Sequence, residues 1–168
     1  AVDMGLMFFV SNSFSKNLSL YGERVGGLSV VCKDEAQAKA VQGQLQFNIR
    51  RIYSSPPSHG GHVVDIVMND EALFNEWVQE VYVMRDRIKE MRQKLRDSLE
   101  AKLPGRSFEY ITKQNGMFSY TGLTPEQVAR IIKDFGIYMV ANGRISVAGL
   151  NASNIDYVAN AMAEVLKD

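Results

Sequence analysis

Cysteine is almost absent from this sequence of 168 residues, which contains only Cys32. A disulfide within the chain is therefore excluded, and a reducing compartment is the simpler expectation. Cys32 ends an apolar run, so we predict that it behaves as a small core residue. The sequence also lacks an apolar run long enough to span a bilayer. No basic stretch precedes the first apolar run, as a secretory signal would require. We therefore expect a cytoplasmic protein.

The sequence has no excess of either charge, since 19 basic residues balance 19 acidic ones. This balance gives no electrostatic reason to expect nucleic acid or a membrane as a partner. Metal ligands are scarce too: His59 and His62 lie three residues apart, but no neighbouring acid or cysteine completes a set. We predict no metal site. Apolar residues make up 46% of the chain, so a core can form without disulfides or metals.

The first half of the sequence mixes strand and helix patterns. Apolar runs at residues 6–10 and 28–32 predict two buried strands of the kind found in parallel sheets. Asp34 with Gln37 is typical of a helix start, and that helix should run to about residue 53, before Pro56 and Pro57. A shorter helix is predicted from His59 to about residue 67.

A long helix beginning after Asn69 or Asp70 is the clearest local pattern. Its apolar stripe consists of Leu73, Trp77, Val81, Met84, Ile88, Met91, Leu95 and Leu99. The spacing of three and four residues is that of one helix face. The charged residues from Arg85 to Arg96 predict a solvated face. Pro104 and Gly105 should end the helix, and its length suggests a connector between two domains.

The last third of the chain predicts a smaller α/β unit. Strands are expected at residues 108–111 and 117–120. Thr124, Pro125 and Gln127 form a strong helix start, and Gly136 should close that helix. An Asn142-Gly143 turn predicts a hairpin between residues 137–140 and 144–147. A final helix should start at Asn151 or Ser153.

One polar loop combines residues that suit a specific chemistry. The segment from Ser11 to Gly26 has one lysine, Lys16, after three serines, and Arg24 follows eight residues later. Hydroxyls, backbone amides and a guanidinium can hold a phosphate. A lysine amine can attack an aldehyde. The loop thus offers a phosphate-binding set and an amine that can form a Schiff base, which are the two features that pyridoxal phosphate requires.

Two other interpretations fit this loop. Most serine-rich loops with a lysine and an arginine are simply solvated. The Ser13-Phe14-Ser15-Lys16 string also matches the Ser-x-x-Lys pattern of penicillin-binding enzymes. Those enzymes carry a Lys-Thr-Gly element as well, and this sequence has none.

The string Ser-x-Ser-Phe-Ser-Lys-Asn-x-x-Leu-Tyr-x-Glu-Arg-Val-Gly resembles the cofactor-lysine segment of fold-type I pyridoxal-phosphate aminotransferases of the aspartate and aromatic type. In that family the lysine holds the cofactor and moves the proton at the substrate α-carbon. The match assigns this role to Lys16. It assigns the phosphate to Arg24 and Ser13, with Ser15 adjacent.

Three further segments resemble the same family, in the same order along the chain. Arg50, in Arg-Arg-Ile-Tyr-Ser-Ser-Pro-Pro, matches an arginine that reaches a neighbouring subunit and pairs with an acidic substrate side chain. Adjacent helix residues face different directions, so only one of Arg50 and Arg51 can do this. Phe118 matches a phenylalanine that lines the substrate cavity, and Arg144 matches the arginine that binds the substrate α-carboxylate. A guanidinium suits a carboxylate because two parallel hydrogen bonds fix its angle.

The resemblance covers the whole sequence and implies the C-terminal part of the family's α/β fold. Residues 1–83 would end a large cofactor domain with a mainly parallel sheet, and residues 84–168 would form the small domain. Ser55 stands where aromatic members carry serine and aspartate-specific members carry asparagine. The implied activity is therefore that of a homodimeric aromatic-amino-acid aminotransferase in amino acid metabolism, using amino acid and 2-oxo acid substrates. An aspartate aminotransferase, an inactive fragment and a pyridoxal-phosphate lyase remain alternatives.

Overall fold

The computed structural model describes residues 1–167, which divide into two compact units. The first unit comprises Ala1–Gln79, and the second begins at Glu80. Both units contain helices and strands, as the predicted α/β class requires. In the described part of the chain, no helix combines the length and the apolar character needed to cross a membrane.

The first unit contains an antiparallel strand pair. Strand β1 (Phe8–Ser13) pairs with β2 (Gly26–Val31), in a register that places Ser13 opposite Gly26. The sequence predicted members of a mainly parallel sheet, and this pair differs because residues 14–25 between the strands form turns rather than a crossover helix. Parallel neighbours need such a crossover. The antiparallel pairing brings both ends of the 14–25 segment together.

Two helices follow the strand pair in the first unit, and both begin near the predicted residues. Helix α1 (Glu35–Ile52) is capped by Asp34, whose carboxylate accepts a 2.8 Å hydrogen bond from the backbone N–H of Gln37. The Gln37 side chain in turn accepts from the backbone N–H of Lys33 at 2.7 Å. This reciprocal arrangement satisfies amides that a helix start leaves free. Helix α2 spans His59–Asn69.

Helix α3 (Glu71–Lys102) is the longest element, as its periodicity predicted. The Asp70 carboxylate accepts from the backbone N–H of Leu73 at 3.0 Å. Met91, Leu95 and Leu99 of the predicted stripe are buried. The prediction of a solvated charged face is wrong for Arg92, which is only 2% exposed.

The second unit packs three further helices and two short strands around one core. These elements are α4 (Glu109–Lys113), β3 (Phe118–Tyr120), α5 (Pro125–Phe135), β4 (Arg144–Ser146) and α6 (Ile155–Leu166). Strands β3 and β4 pair antiparallel. The largest fully buried apolar side chains are those of Leu95, Leu99, Ile111, Val128, Ile131, Val147, Met162 and Val165. Ile145 of β4 packs against this core, so the core supports the strand pair.

Helix α5 shows how closely local sequence can define an element. The Thr124 hydroxyl accepts from the backbone N–H of Gln127 at 3.3 Å, and the Gln127 side chain accepts from the Thr124 N–H at 3.0 Å. Pro125 occupies the first turn, where its missing N–H costs nothing. Gly136 ends the helix with a left-handed φ of 63°, as predicted.

Two strand predictions in this unit are wrong. The segment predicted as strand 108–111 leads into helix α4, and its two buried apolar residues, Phe108 and Ile111, lie three apart as a helix requires. The segment 137–140 is not a strand. The predicted turn does form, since the Gly143 N–H donates to the Val140 carbonyl at 2.9 Å. However, the strand partner of β4 is the distant β3, and the preceding segment contacts β4 through the Val140 N–H, which donates to the Arg144 carbonyl at 3.3 Å.

Candidate active site

Residues 14–25, which we call the lysine loop, connect β1 to β2 and carry several of the predicted site residues. The loop is closed at its base, where the Phe14 N–H donates to the Val25 carbonyl at 3.2 Å. Within it, the Ser19 N–H donates to the Lys16 carbonyl at 3.3 Å. The strand register and these bonds give the lysine a defined backbone position.

The two cations of the lysine loop both lie against Tyr21. The Lys16 Nζ atom is 5.3 Å from the centroid of the Tyr21 ring, within the range of a cation–π contact. The Arg24 Nη1 atom donates to the Tyr21 carbonyl at 3.1 Å. Both cations are exposed in this chain. The structure thus brings the amine and the guanidinium to a single residue, which the sequence did not single out.

The serines predicted to bind phosphate lie where β1 ends. The Ser13 Oγ atom accepts from the backbone N–H of Ser15 at 3.3 Å, and Ser15 is only 4% exposed. Backbone strain is also present in the loop. Ser19 and Arg24 have left-handed φ angles of 55° and 53°, which are uncommon for residues with a Cβ and occur often at functional sites.

Two helices hold the lysine loop in place. At Gly60 in α2, an added Cβ would lie 2.9 Å from Glu23 Cβ and 3.1 Å from Val25 Cγ1. A larger residue would therefore push the loop away. From α3, the Trp77 indole Nε1 donates to the carbonyl of Asn17 at 2.8 Å. The residue next to Lys16 is thus tied to a helix 60 positions further along the chain.

Replacing Trp77 by phenylalanine should loosen the lysine loop. Phenylalanine keeps an aromatic ring but lacks the indole donor, and a neutral hydrogen bond contributes about 0.5–1.5 kcal/mol. Amides of residues 16–19 should then exchange with solvent roughly 2- to 10-fold faster, as measured by hydrogen exchange.

The matched control is Phe74→Leu, which removes the ring that contacts Trp77 at 5.6 Å but keeps the donor. If Phe74→Leu accelerates exchange as much as Trp77→Phe does, packing rather than the hydrogen bond holds the loop.

The end of α1 forms a second group of predicted residues. The Arg50 Nη1 atom donates to the Ser54 hydroxyl at 2.6 Å, and Ser54 has a left-handed φ of 62°. Arg51 lies over the Phe47 ring, 5.4 Å from its centroid. The adjacent arginines therefore face different neighbours. Ser55 is exposed, and its N–H donates to the Tyr53 carbonyl at 2.7 Å.

The third group lies in the second unit and consists of Phe118 and Arg144. The strand register places Tyr120 opposite Arg144 and Phe118 opposite Ser146, so Phe118 and Arg144 are diagonal neighbours on one face. The Arg144 guanidinium carbon is 5.0 Å from the Phe118 ring centroid. The backbone N–H of Arg144 donates to the Asn142 side-chain oxygen at 3.1 Å, which fixes the start of β4.

Phe118 and Arg144 line a cavity of about 640 Å³ in the second unit. The rest of its wall is mainly apolar and includes Ile137, Met139, Val140, Leu150, Tyr157 and Val158. The Tyr157 hydroxyl donates to the Phe135 carbonyl at 2.7 Å. A pocket with one guanidinium among apolar side chains suits a carboxylate attached to an apolar body.

The histidines and the cysteine do not add to these groups. In residues 1–167 no cluster of three or more His, Cys, Asp or Glu side chains could hold a metal ion. Cys32 is a free thiol of intermediate burial rather than a fully buried core residue.

Comparison with known proteins places this arrangement in a family. The model of aminotransferase class I and II matches residues 1–162. The aromatic-amino-acid aminotransferase of Escherichia coli (strain K12) is 55% identical over 162 residues, or 96% of this chain and 41% of that protein. The mitochondrial aspartate aminotransferase of Arabidopsis thaliana is 52% identical over 158 residues, or 94% of this chain and 37% of that protein. The chain thus spans about 41% of the length of the first of these relatives.

Solved structures agree with the predicted fold. A psychrophilic aromatic amino acid aminotransferase from Psychrobacter sp. B6, cocrystallised with aspartic acid, superposes with a TM-score of 0.96 and 72% identity, covering 100% of this chain and 42% of that one. An aromatic-amino-acid aminotransferase from Burkholderia pseudomallei, covalently bound to pyridoxal phosphate, gives a TM-score of 0.93 and 51% identity. The match covers 98% of this chain and 41% of that one. These matches confirm the α/β transferase fold, and the chain belongs to the aminotransferase class I and II family.

Proposed function

We propose that the protein containing this chain is an aromatic-amino-acid aminotransferase. It would move an amino group from donors such as tyrosine, phenylalanine or aspartate to a 2-oxo acid such as 2-oxoglutarate, with pyridoxal 5′-phosphate as its cofactor. The observation that carries this proposal is the convergence of Lys16 and Arg24 on Tyr21, in a loop that contains Ser15 and follows Ser13 at a strand end. Because the chain spans about 41% of its relatives, the proposal concerns the whole protein.

The donors of the lysine loop fit a phosphate group. Within residues 1–167, one guanidinium nitrogen of Arg24 donates a hydrogen bond, to the Tyr21 carbonyl, and the side chain is exposed. Its other N–H groups can therefore form a charge-assisted fork with phosphate oxygens. The Ser13 and Ser15 hydroxyls lie at the same strand end and can add neutral hydrogen bonds. A phosphate so held would sit beside the chain segment that carries the Lys16 amine.

When bound, pyridoxal phosphate supplies an aldehyde that takes up the amino group and a ring that withdraws electrons from the substrate α-carbon. Lys16 provides what this chain must add. Its Nζ atom would hold the aldehyde and, as a free amine, would be the base that removes the α-proton. The same nitrogen would then deliver that proton to the cofactor carbon bonded to the substrate nitrogen, so that it is again a free amine.

Arg144 is the residue proposed to orient the substrate. Its guanidinium would bind the α-carboxylate through two parallel hydrogen bonds, which fix the direction of the amino acid as well as its position. Phe118 lies under that guanidinium and restricts its motion. The apolar wall of the cavity offers burial to an aromatic substrate side chain.

Arg50 and Ser55 are proposed to decide between acidic and aromatic substrates. In the described part of the chain, one nitrogen of Arg50 donates to Ser54 at the end of α1, so the guanidinium keeps donors for a substrate carboxylate. Aspartate aminotransferase is the second candidate function, favoured by the 52% identity to the Arabidopsis enzyme. We also propose a homodimer, in which Arg50 serves the partner's site, and a cytoplasmic location consistent with the free thiol of Cys32.

An amino-donor assay on the holoenzyme tests the proposed function. Tyrosine, phenylalanine and aspartate are each supplied with 2-oxoglutarate, and glutamate formation is measured. We expect glutamate from all three donors. Aspartate as the only active donor would favour the second candidate. Release of ammonia without glutamate would indicate a lyase and contradict the proposal.

A further inference from the structure

Arg92 is a charged residue in the interior of the second unit. It lies on α3 between Met91 and Leu95 and is 2% exposed, whereas Arg85 on the same helix is exposed. Burying a charge is costly unless hydrogen bonds compensate it. Such a residue therefore calls for a reason beyond core packing, which an apolar side chain of the same volume would serve at lower cost.

The guanidinium of Arg92 makes four hydrogen bonds, all to neutral oxygens. Its Nη2 atom donates to the Gly116 carbonyl at 2.8 Å and to the Phe118 carbonyl at 2.7 Å. Its Nη1 atom donates to the Ile111 carbonyl at 2.7 Å and to the Ser119 hydroxyl at 3.1 Å. No carboxylate pairs with it in residues 1–167. Burial lowers the pKa of Arg92 from its ordinary value, but a guanidinium keeps its charge in proteins.

These bonds grip the backbone on both sides of Met117. The carbonyls of Gly116 and Phe118 point to Arg92, while the carbonyl between them accepts from the Val147 N–H at 2.8 Å. Residues 116–118 are therefore held from opposite directions by α3 and by the residue that follows β4. The orientation of the Phe118 side chain follows from this fixed backbone.

The hydrogen bonds of Arg92 to residues 116–119, which we call the Arg92 clamp, also affect Arg144 through the strand pair. β3 carries Phe118 and pairs with β4, which carries Arg144 opposite Tyr120. Gln114 reinforces β3, because its side-chain oxygen accepts from the Tyr120 N–H at 2.8 Å and from the Ser119 hydroxyl at 3.0 Å. Beyond the strand, the Thr121 hydroxyl donates to the Gly143 carbonyl at 2.8 Å. Displacement of β3 would thus displace both cavity residues.

We infer that Arg92 is a positioning residue for the substrate cavity, holding Phe118 and, through the strand pair, Arg144 in the geometry that selects and orients the amino acid. The inference rests on the proposed function for its kinetic consequence. Its structural content, a clamp on residues 116–119, does not depend on that function. Arg92 does not line the cavity, so it would act on the substrate only through Phe118 and Arg144.

Two substitutions test the clamp. Arg92→Met keeps an apolar stem but removes every donor, and Arg92→Lys keeps a charge but replaces the planar fork by a point donor. In the holoenzyme we expect kcat/KM for phenylalanine to fall about 10- to 100-fold in Arg92→Met, because small misplacements of positioning groups have effects of this size. Most of the fall should come from KM. Arg92→Lys should show a smaller change in the same direction.

The control variant is Leu99→Ala, which damages the same core two turns further along α3 without touching the clamp. A purely structural loss reduces the amount of folded enzyme, so it lowers apparent kcat and leaves KM and the ratio of phenylalanine to aspartate turnover unchanged. We expect that pattern for Leu99→Ala and a shifted KM and ratio for both Arg92 variants. Arg92 variants that behave like Leu99→Ala would overturn the inference.

Hydrogen exchange in the absence of substrate separates this inference from the proposed function. The amides of Ser119 and Tyr120 should exchange at least about 10-fold faster in Arg92→Met than in Leu99→Ala, since the lost bonds lie on that segment. Equal exchange in the two variants would refute the clamp. If the parent enzyme shows no transamination while this difference is present, the proposed function fails and the clamp stands.

Discussion

Replacing Lys16 by alanine should lower kcat for transamination by about 10²- to 10⁴-fold or more, because the loss of a positioned acid–base group alone has that effect. In Lys16→Arg, kcat should fall as far, because arginine keeps the positive charge of the loop but remains protonated and cannot act as the amine. Steady-state glutamate formation measures both variants. Because Lys16→Arg keeps the charge, an equal loss in both variants shows that the rate depends on the free amine rather than on the positive charge of the loop.

Lys33→Ala is the matched control for this experiment. Lys33 follows β2 and is exposed, and it interacts with Gln37 through its backbone rather than its amine. Its replacement should leave the rate unchanged. A Lys16→Ala enzyme that kept more than about one tenth of the parent rate would contradict the assignment, because a positioned proton-transfer group contributes more than that.

Arg144→Lys should lower kcat/KM by about 10²-fold, because the α-carboxylate loses the two parallel bonds that fix its angle and a misplaced substrate costs about that much. Lysine retains the charge but cannot form the two parallel bonds of a guanidinium. The loss should be similar for phenylalanine and aspartate as donors, because both carry an α-carboxylate.

Arg50→Lys supplies the contrast to Arg144→Lys. The proposed role of Arg50 concerns only an acidic side chain, so its replacement should impair aspartate turnover and leave phenylalanine turnover nearly unchanged. A large loss with phenylalanine in Arg50→Lys, or a loss confined to aspartate in Arg144→Lys, would mean that the two arginines have been assigned to the wrong carboxylates.

The local elements were predictable because their determinants are short-range. Asp34 with Gln37 and Thr124 with Gln127 satisfy the first amides of their own helices, and Gly136 adopts the left-handed conformation at a helix end. Such contacts join residues three or four positions apart. The sequence alone therefore located α1 and α5 to within a residue or two.

The pairing of strands was not predictable in the same way. The Asn142-Gly143 turn forms as expected, yet β4 finds its partner in β3, more than 20 residues earlier. The partner of β4 is decided by which segment packs beside it on the core, and the turn alone does not decide it. The antiparallel pairing of β1 with β2 likewise depended on the loop between them being irregular rather than helical.

The role of Arg92 was missed although a signal was present. Arg92 lies four residues after Ile88 and three before Leu95, so it falls on the apolar stripe of α3. A charged residue at a core position implies buried acceptors that pair with it. The acceptors themselves, backbone carbonyls about 20 to 30 residues away, could not be identified before the fold was known.

Some site residues could be named from the sequence, and others became apparent only in the structure. The family resemblance named Lys16, Arg24 and Ser13 together, and the structure places them around one strand end and one loop. Tyr21, which contacts both cations, stands in the matched string but received no role, because an aromatic residue in a polar loop has no distinctive pattern. Trp77 was expected only as part of an apolar stripe, whereas its indole N–H fixes the neighbour of Lys16.

The most direct test of this account is to find the lysine that holds the cofactor. The protein is loaded with pyridoxal phosphate, reduced with borohydride, digested and mapped by mass spectrometry. We expect the phosphopyridoxyl group on the peptide containing Lys16, and its loss from that peptide when Arg24 is replaced by alanine. Stable labelling of a different lysine, with Lys16 unmodified, would contradict the assignment of this loop as the cofactor site.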